Sequence, residues 1–155
     1  MEKVEILHIE DNFADITLTK KILKDLETEF AYHHVSNGKA GLQYLNKEEK
    51  YSDAKTPDIV FLDLNLPTID GFTVLETIKN DSMLKVIPVI IMSTSQHTAD
   101  VKRSYKLQAN AFITKGIDYY RFSNAIKQLD KFWFRSCLLP AKSDPLQYQK
   151  EDTEN

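Results

Sequence analysis

Five side chains scattered along this sequence belong to one kind of chemistry: the carboxylates Glu10, Asp11 and Asp63, the hydroxyl of Ser93 and the amine of Lys115. Each closes a short apolar run, namely 4–9, 58–63, 89–92 and 111–115. Three carboxylates held a few ångströms apart cannot all stay ionised without a cation, because like charges disfavour each other's ionisation. An all-oxygen donor set suits a hard divalent ion, and Mg2+ shares one or two carboxylates with a phosphate while keeping several waters. Lys115 offers a compact positive charge for a phosphoryl or carboxylate oxygen, and Ser93 can donate a hydrogen bond to the same oxygen. An aspartate beside Mg2+ and a lysine is arranged for attack of a carboxylate on phosphorus, giving an acyl phosphate.

Such chemistry requires the five groups to meet, and the hydrophobic pattern supplies the means. Val4 to Ile9 reads as a strand that stops at Glu10-Asp11-Asn12. The stretch 13–29 is predicted as a helix, with Ile16, Leu23, Leu26 and Phe30 on one face and Asn12 or Asp11 as its N-cap. A weaker strand is expected at 31–36, then a turn at Asn37-Gly38 and a short helix through Leu42 and Leu45, while the polar stretch 47–57 reads as a loop. After the buried strand 58–63, a helix starts at Gly71 with Val74, Leu75 and Ile78 inward. Strand 89–92, a helix over about 97–107 and strand 111–115 follow. Phe122, Ala125, Ile126, Leu129 and Trp133 then share one face of the last helix. Five apolar strands alternating with five helices imply an α/β fold with a parallel sheet covered on both faces and right-handed crossovers. Ligands of such a sheet bind at the carboxyl ends of its strands, which is where the five groups fall. The second strand ends in Ser36-Asn37 and adds nothing comparable.

Composition excludes several alternatives. With 155 residues, 42% hydrophobic and 28% charged, the chain has the makings of one globular domain. Its single cysteine, Cys137, rules out an intrachain disulfide and suits a reducing cytosol. A net charge of -3 argues against nucleic acid as a partner. No apolar run reaches the roughly 18 residues of a membrane span, and charges interrupt the N-terminus too early for a secretory signal. A cytoplasmic protein without a membrane partner is expected, ending in a polar tail over 141–155.

The set Glu10-Asp11, Asp63, Pro67, Asp70-Gly71, Pro88, Ser93 and Lys115 resembles the receiver domain of two-component response regulators. The intervals of 30 residues from Asp63 to Ser93 and 22 from Ser93 to Lys115 match those of the chemotaxis receiver. The resemblance covers 3–133, leaving 134–155 as a C-terminal extension and tail. Ile9-Glu10-Asp11-Asn12, Leu62-Asp63-Leu64-Asn65-Leu66-Pro67, Ser93-Thr94-Ser95, Ser104-Tyr105, Phe132-Trp133 and Leu139-Pro140 are similar to the stand-alone regulators that accompany bacterial phytochrome kinases.

This resemblance implies a flavodoxin-like doubly wound five-stranded sheet of order 2-1-3-4-5. It implies Asp63 as phosphoacceptor, and Mg2+ held by Glu10, Asp11, Asp63 and the Asn65 backbone carbonyl. Ser93 and Lys115 would hold the phosphoryl group, and Phe112 would stand at the aromatic switch position. It also implies a sensor histidine kinase as donor, and the subgroup resemblance implies one of phytochrome type. The chain after 133 is too short for an output domain, so output is expected through a downstream protein or phosphorelay partner, with no enzymatic activity beyond self-phosphorylation and self-dephosphorylation.

The alternatives are plainer. Read alone, Phe112 is more often a core aromatic than a switch, and Asp11 or Asn12 a helix cap. His33 and His34, adjacent on a strand, point to opposite faces and make a poor metal pair, while His8 reads as a packed core histidine. Lys20, Lys21 and Lys24 read as a solvated face. A phosphate-independent scaffold would keep the fold without using Asp63. A flavin carrier of similar topology is rejected, because Glu10-Asp11 would repel its phosphate. Gly116 stands where the family usually has proline after the lysine, which leaves the placement of Lys115 open. Phe132-Trp133-Phe134 and the following Cys137-Leu138-Leu139-Pro140 are expected to need a second apolar surface. A homodimer through the fourth-helix and fifth-helix face and this aromatic segment would provide it.

Overall fold

The computed structural model describes residues 2–116 and 118–140, so the expected polar tail lies outside the described residues. Five strands, β1 (Val4–Ile9), β2 (Phe30–Val35), β3 (Ile59–Leu62), β4 (Val89–Ser93) and β5 (Ala111–Thr114), alternate with five helices. These are α1 (Phe13–Lys24), α2 (Gly38–Leu45), α3 (Gly71–Asn80), α4 (Thr98–Lys106) and α5 (Tyr119–Leu129). The strands form one parallel sheet in the order β2-β1-β3-β4-β5. The order reverses between β1 and β3, so their carboxyl ends flank the crevice at the switch point.

Every residue of β3 and β4 is buried, as central strands covered on both faces must be. On one face Leu7, Ile9, Val60, Leu62 and Ile91 pack against α2 and α3 through Leu45, Val74, Leu75 and Ile78. On the other, Ile6, Ile59, Phe61, Ile90 and Met92 meet Ile22 and Leu23 of α1 and Phe122, Ile126 and Leu129 of α5. Asn12, Asn37 and Asp70 cap α1, α2 and α3 by accepting from the backbone N–H groups of Asp15, Ala40 and Thr73. Gly71 lets α3 sit directly on the end of β3: a Cβ there would lie 2.2 Å from the Asp63 carbonyl oxygen and 2.5 Å from Leu64 Cα.

Three boundaries differ from the sequence expectation. Helix α1 ends at Lys24 rather than 29, where the Asp25 backbone N–H closes on the Ile22 and Leu23 carbonyls. Phe30, whose spacing continues the helical stripe, instead opens β2 in register with Val4. The stretch 47–57 contains a one-turn 3-10 helix, Glu49–Tyr51.

The third difference lies beyond α5, where the chain widens into a π-helical turn, Asp130–Phe134. This turn rolls Trp133 and Phe134 onto the α1/α5 side of the core, with the Phe134 ring edge-on to Phe30 at 5.2 Å. Arg135 pairs with Glu27 at 2.7 Å and Thr28 donates to Asp130. Two of the three aromatics expected to need a second surface are therefore partly covered by their own domain, while Phe132 and Leu138 stay exposed.

Candidate functional site

Glu10 follows β1 directly and is wholly buried, whereas Asp11, one residue on, is exposed. Glu10 Oε1 accepts from the Asn12 backbone N–H at 3.1 Å, which fixes the carboxylate at the start of α1. Asp63 ends β3 at 5% exposure, and its Oδ1 accepts from the Asn65 N–H at 3.4 Å. Lys115 leaves β5 with its backbone N–H bonded to the Ser93 carbonyl at 2.7 Å. Its ammonium lies 2.6 Å from Glu10 Oε2, 2.8 Å from Asp15 Oδ2 and 3.7 Å from Asp63 Oδ1. The open cleft between these groups has a volume of about 420 Å³ and is lined also by Asn12, Asn65 and Thr94.

The electrostatics follow from burial. Desolvation pushes the Glu10 carboxyl up to about 7, against the opposing hydrogen bond and charge of Lys115. Burial raises Asp63 as well, offset only in part by Lys115 and the Asn65 N–H. For Lys115 burial disfavours the ammonium, but hydrogen bonds to Asp15 and Glu10 outweigh it and hold its pKa above the usual lysine range. Carboxylate oxygens of Glu10, Asp11 and Asp63 all lie within 4.8 Å of one another. Two buried carboxyls held above their ordinary range, beside a third that is exposed, form an oxygen-only donor set that fits a hard divalent cation.

The structure brings together Glu10, Asp11, Asp63, Asn65 and Lys115. The Ser93 hydroxyl is buried and accepts from the Ser95 N–H at 3.1 Å, while its neighbour Thr94 lines the cleft. Phe112 is half-buried and packs against the α2/α3 side of the core. The Lys115–Gly116 peptide is trans, and Gly116 sits at a φ of +82°, a left-handed conformation that suits glycine. Sequence reasoning missed Asp15, which lies in the first turn of α1, three residues after the N-cap Asn12.

His8 is packed as expected: its Nδ1 is 2.6 Å from the Tyr32 hydroxyl, and burial holds its pKa down to about 3. His33 bonds Glu5 at 3.0 Å, and Lys20, Lys21 and Lys24 are exposed.

The model of the response regulator receiver domain matches residues 6–127. The chain belongs to that family. Among its relatives is the response regulator Rcp1 of Synechocystis, 34% identical over 136 residues that make up 88% of this chain and 92% of Rcp1. The structure of the phosphorylated cyanobacterial phytochrome response regulator RcpA superposes with a TM-score of 0.85 at 37% identity, covering 90% of this chain and 99% of RcpA. The Mn2+-bound form of Rcp1 superposes with a TM-score of 0.83 at 33% identity, covering 88% and 99% of the two chains.

The receiver fold of order 2-1-3-4-5 is thus the family's own. Aspartyl phosphorylation by histidine kinases and a divalent cation at an acidic site are general features of this two-component signalling family, whose receivers are generally not enzymes. No helix among the described residues is long and apolar enough to cross a membrane.

Proposed function

We propose that this chain is a single-domain response regulator that takes a phosphoryl group onto Asp63 from a histidine kinase, in the cytoplasm, and signals through protein–protein contacts. The observation that carries the reading is the convergence of Glu10, Asp11 and Asp63 within 4.8 Å, with the Lys115 ammonium 3.7 Å from Asp63. A carboxylate oxygen of Asp63 attacks phosphorus, the O–P bond forms as the P–N bond to the kinase imidazole breaks, and the imidazole departs with its electron pair and is protonated. Mg2+, held by Glu10, Asp11, Asp63 and the Asn65 carbonyl, supplies neutralising charge for the phosphoryl oxygens when bound. Lys115 pairs with one of those oxygens and Ser93 donates to another.

The receiver spans 3–133, with 134–155 as its extension. Phosphorylation biases two arrangements of the β4–α4 region, with Ser93 and Phe112 as the switch pair. Among α4 residues only Ser104 is buried, so this helix is lightly held and suited to move. The likeness to RcpA and Rcp1 supports a phytochrome-type kinase as donor. The readout is a downstream protein or a phosphorelay partner, and the exposed Phe132 and Leu138 support a homodimer that joins the α4–α5 face to the C-terminal segment.

The test is incubation with Mg2+ and acetyl phosphate, followed by intact mass and sizing, with Asp63→Asn as control. A gain of one phosphoryl group that needs Mg2+ and is absent from the control is the expected result. If phosphoryl transfer fails with acetyl phosphate and also with a cognate kinase, the chain is a phosphate-independent scaffold.

A further inference from the structure

The Lys115 ammonium has three N–H donors and no acceptor, and two of its partners are set by hydrogen bonds: Glu10 Oε2 at 2.6 Å and Asp15 Oδ2 at 2.8 Å. Glu10 is wholly buried, and its other oxygen is committed to the Asn12 N–H. Glu10 lines the open cleft, and the oxygen that carries no backbone hydrogen bond is the one that Lys115 holds. A cation at the three carboxylates also repels the ammonium. Lysine and cation thus compete for Glu10.

Asp15 is the other hydrogen-bond partner of the ammonium. It belongs to the first turn of α1, where its own backbone N–H is bonded to the Asn12 side chain at 3.1 Å. It stands apart from the three-carboxylate cluster of Glu10, Asp11 and Asp63. Gly116 is in the left-handed region, and among the described residues a Cβ built there would meet Thr94 Cγ2 at 3.6 Å. The ammonium itself is held by its side-chain partners.

We propose that Asp15 is a positioning residue for Lys115, anchoring the ammonium on the α1 side of the cleft so that Glu10 is free for a divalent cation while Lys115 stays within reach of Asp63. This rests on the phosphoacceptor reading above, and its test needs only metal binding. Mg2+ affinity is measured by calorimetry on the full chain for the wild type, Asp15→Asn, Lys115→Met and the double variant.

Asp15→Asn weakens Mg2+ binding about fivefold, the size of a partly exposed ion-pair coupling. In the Lys115→Met background the same substitution changes affinity by less than about twofold, because the effect is carried by the lysine. Asp15→Glu, which keeps the charge, recovers most of the wild-type affinity. If Asp15→Asn weakens binding equally with and without Lys115, Asp15 acts as a bulk charge near the cation; the inference then falls and the phosphoacceptor reading stands. If the wild type binds no Mg2+, both fall together.

Discussion

Replacing Glu10 by Gln should stabilise the metal-free protein, against the usual expectation for a residue buried at an ion pair. Burial holds the Glu10 carboxyl at about 7 in the fold against an ordinary 4.5. Between those values the folded state binds a proton that the unfolded state has released, so stability falls as pH rises through the window and the loss is complete above the folded value. A shift of this size corresponds to about 3 kcal/mol near pH 8, shrinking to about 1 kcal/mol near pH 5.5. Gln keeps the neutral shape and escapes the loss. For a chain of this length, about 3 kcal/mol is an increase in Tm of roughly 6–12 °C.

The other shifted groups do not blur the comparison. His8, held at about 3, opposes Glu10: the unfolded state takes up a proton below 6.5 that the fold refuses, so its contribution is lost as pH falls. Asp63 is raised and acts in the same sense as Glu10, whereas Lys115 titrates far above the window. All three are present in both proteins and enter the difference only through their coupling to position 10. The assay is urea unfolding of both proteins in chelator at the two pH values, repeated with Mg2+. At a hundred times its Kd the cation adds about 2.7 kcal/mol to the wild type and much less to Glu10→Gln, so the order narrows or reverses. A variant less stable than the wild type in chelator near pH 8, or a difference that is the same at both pH values, would refute the reasoning.

Gly71→Ala drives a Cβ to 2.2 Å from the Asp63 carbonyl oxygen, and the backbone there cannot yield cheaply. It should cost about 2–3 kcal/mol in urea unfolding and weaken Mg2+ binding, whereas Gly41→Ala, which meets the Ile9 side chain with Cδ1 nearest at 2.5 Å rather than backbone, should cost less and leave the site intact. Lys79 donates to the Lys85 and Ile87 carbonyls and to Asn110 Oδ1, tying α3 to the start of β4. Lys79→Met should lower stability by about 1–3 kcal/mol with no change in Mg2+ affinity, since the site lies at the other end of the strand. Phe134→Ala, which loses the edge contact with Phe30, should cost about 1–2 kcal/mol, and Arg135→Ala, which loses a 2.7 Å pair with the exposed Glu27 and a longer 3.6 Å one with the buried Asp130, less than about 1 kcal/mol. Equal losses for the two would mean that the extension is held by charge rather than by packing.

What could be read from the sequence divides along the range of the forces involved. β3 and β4 were legible because a strand buried on both faces needs an unbroken apolar run, and Ile59–Leu62 and Val89–Met92 provide one. The site was legible because a parallel sheet sends every strand end to the same edge, so Glu10, Asp63 and Lys115 needed no contact information to be gathered there. The end of α1 was not. Leu26 and Phe30 continue its apolar spacing, and what stops the helix is the pairing of Phe30 with Val4, a demand made by the sheet.

The aromatic run after α5 was legible only in part, for a related reason. At a strict helical period Trp133 belongs to the buried stripe and its neighbours to solvent, but the π-helical turn changes that phase and seats Phe134 on Phe30 as well. Asp15 shows the limit most sharply. Its type, spacing and cap position are ordinary for the first turn of a helix, and its importance lies in one contact with a lysine a hundred residues away. Local pattern places a residue on a face; only the closed sheet decides which charge that face will meet.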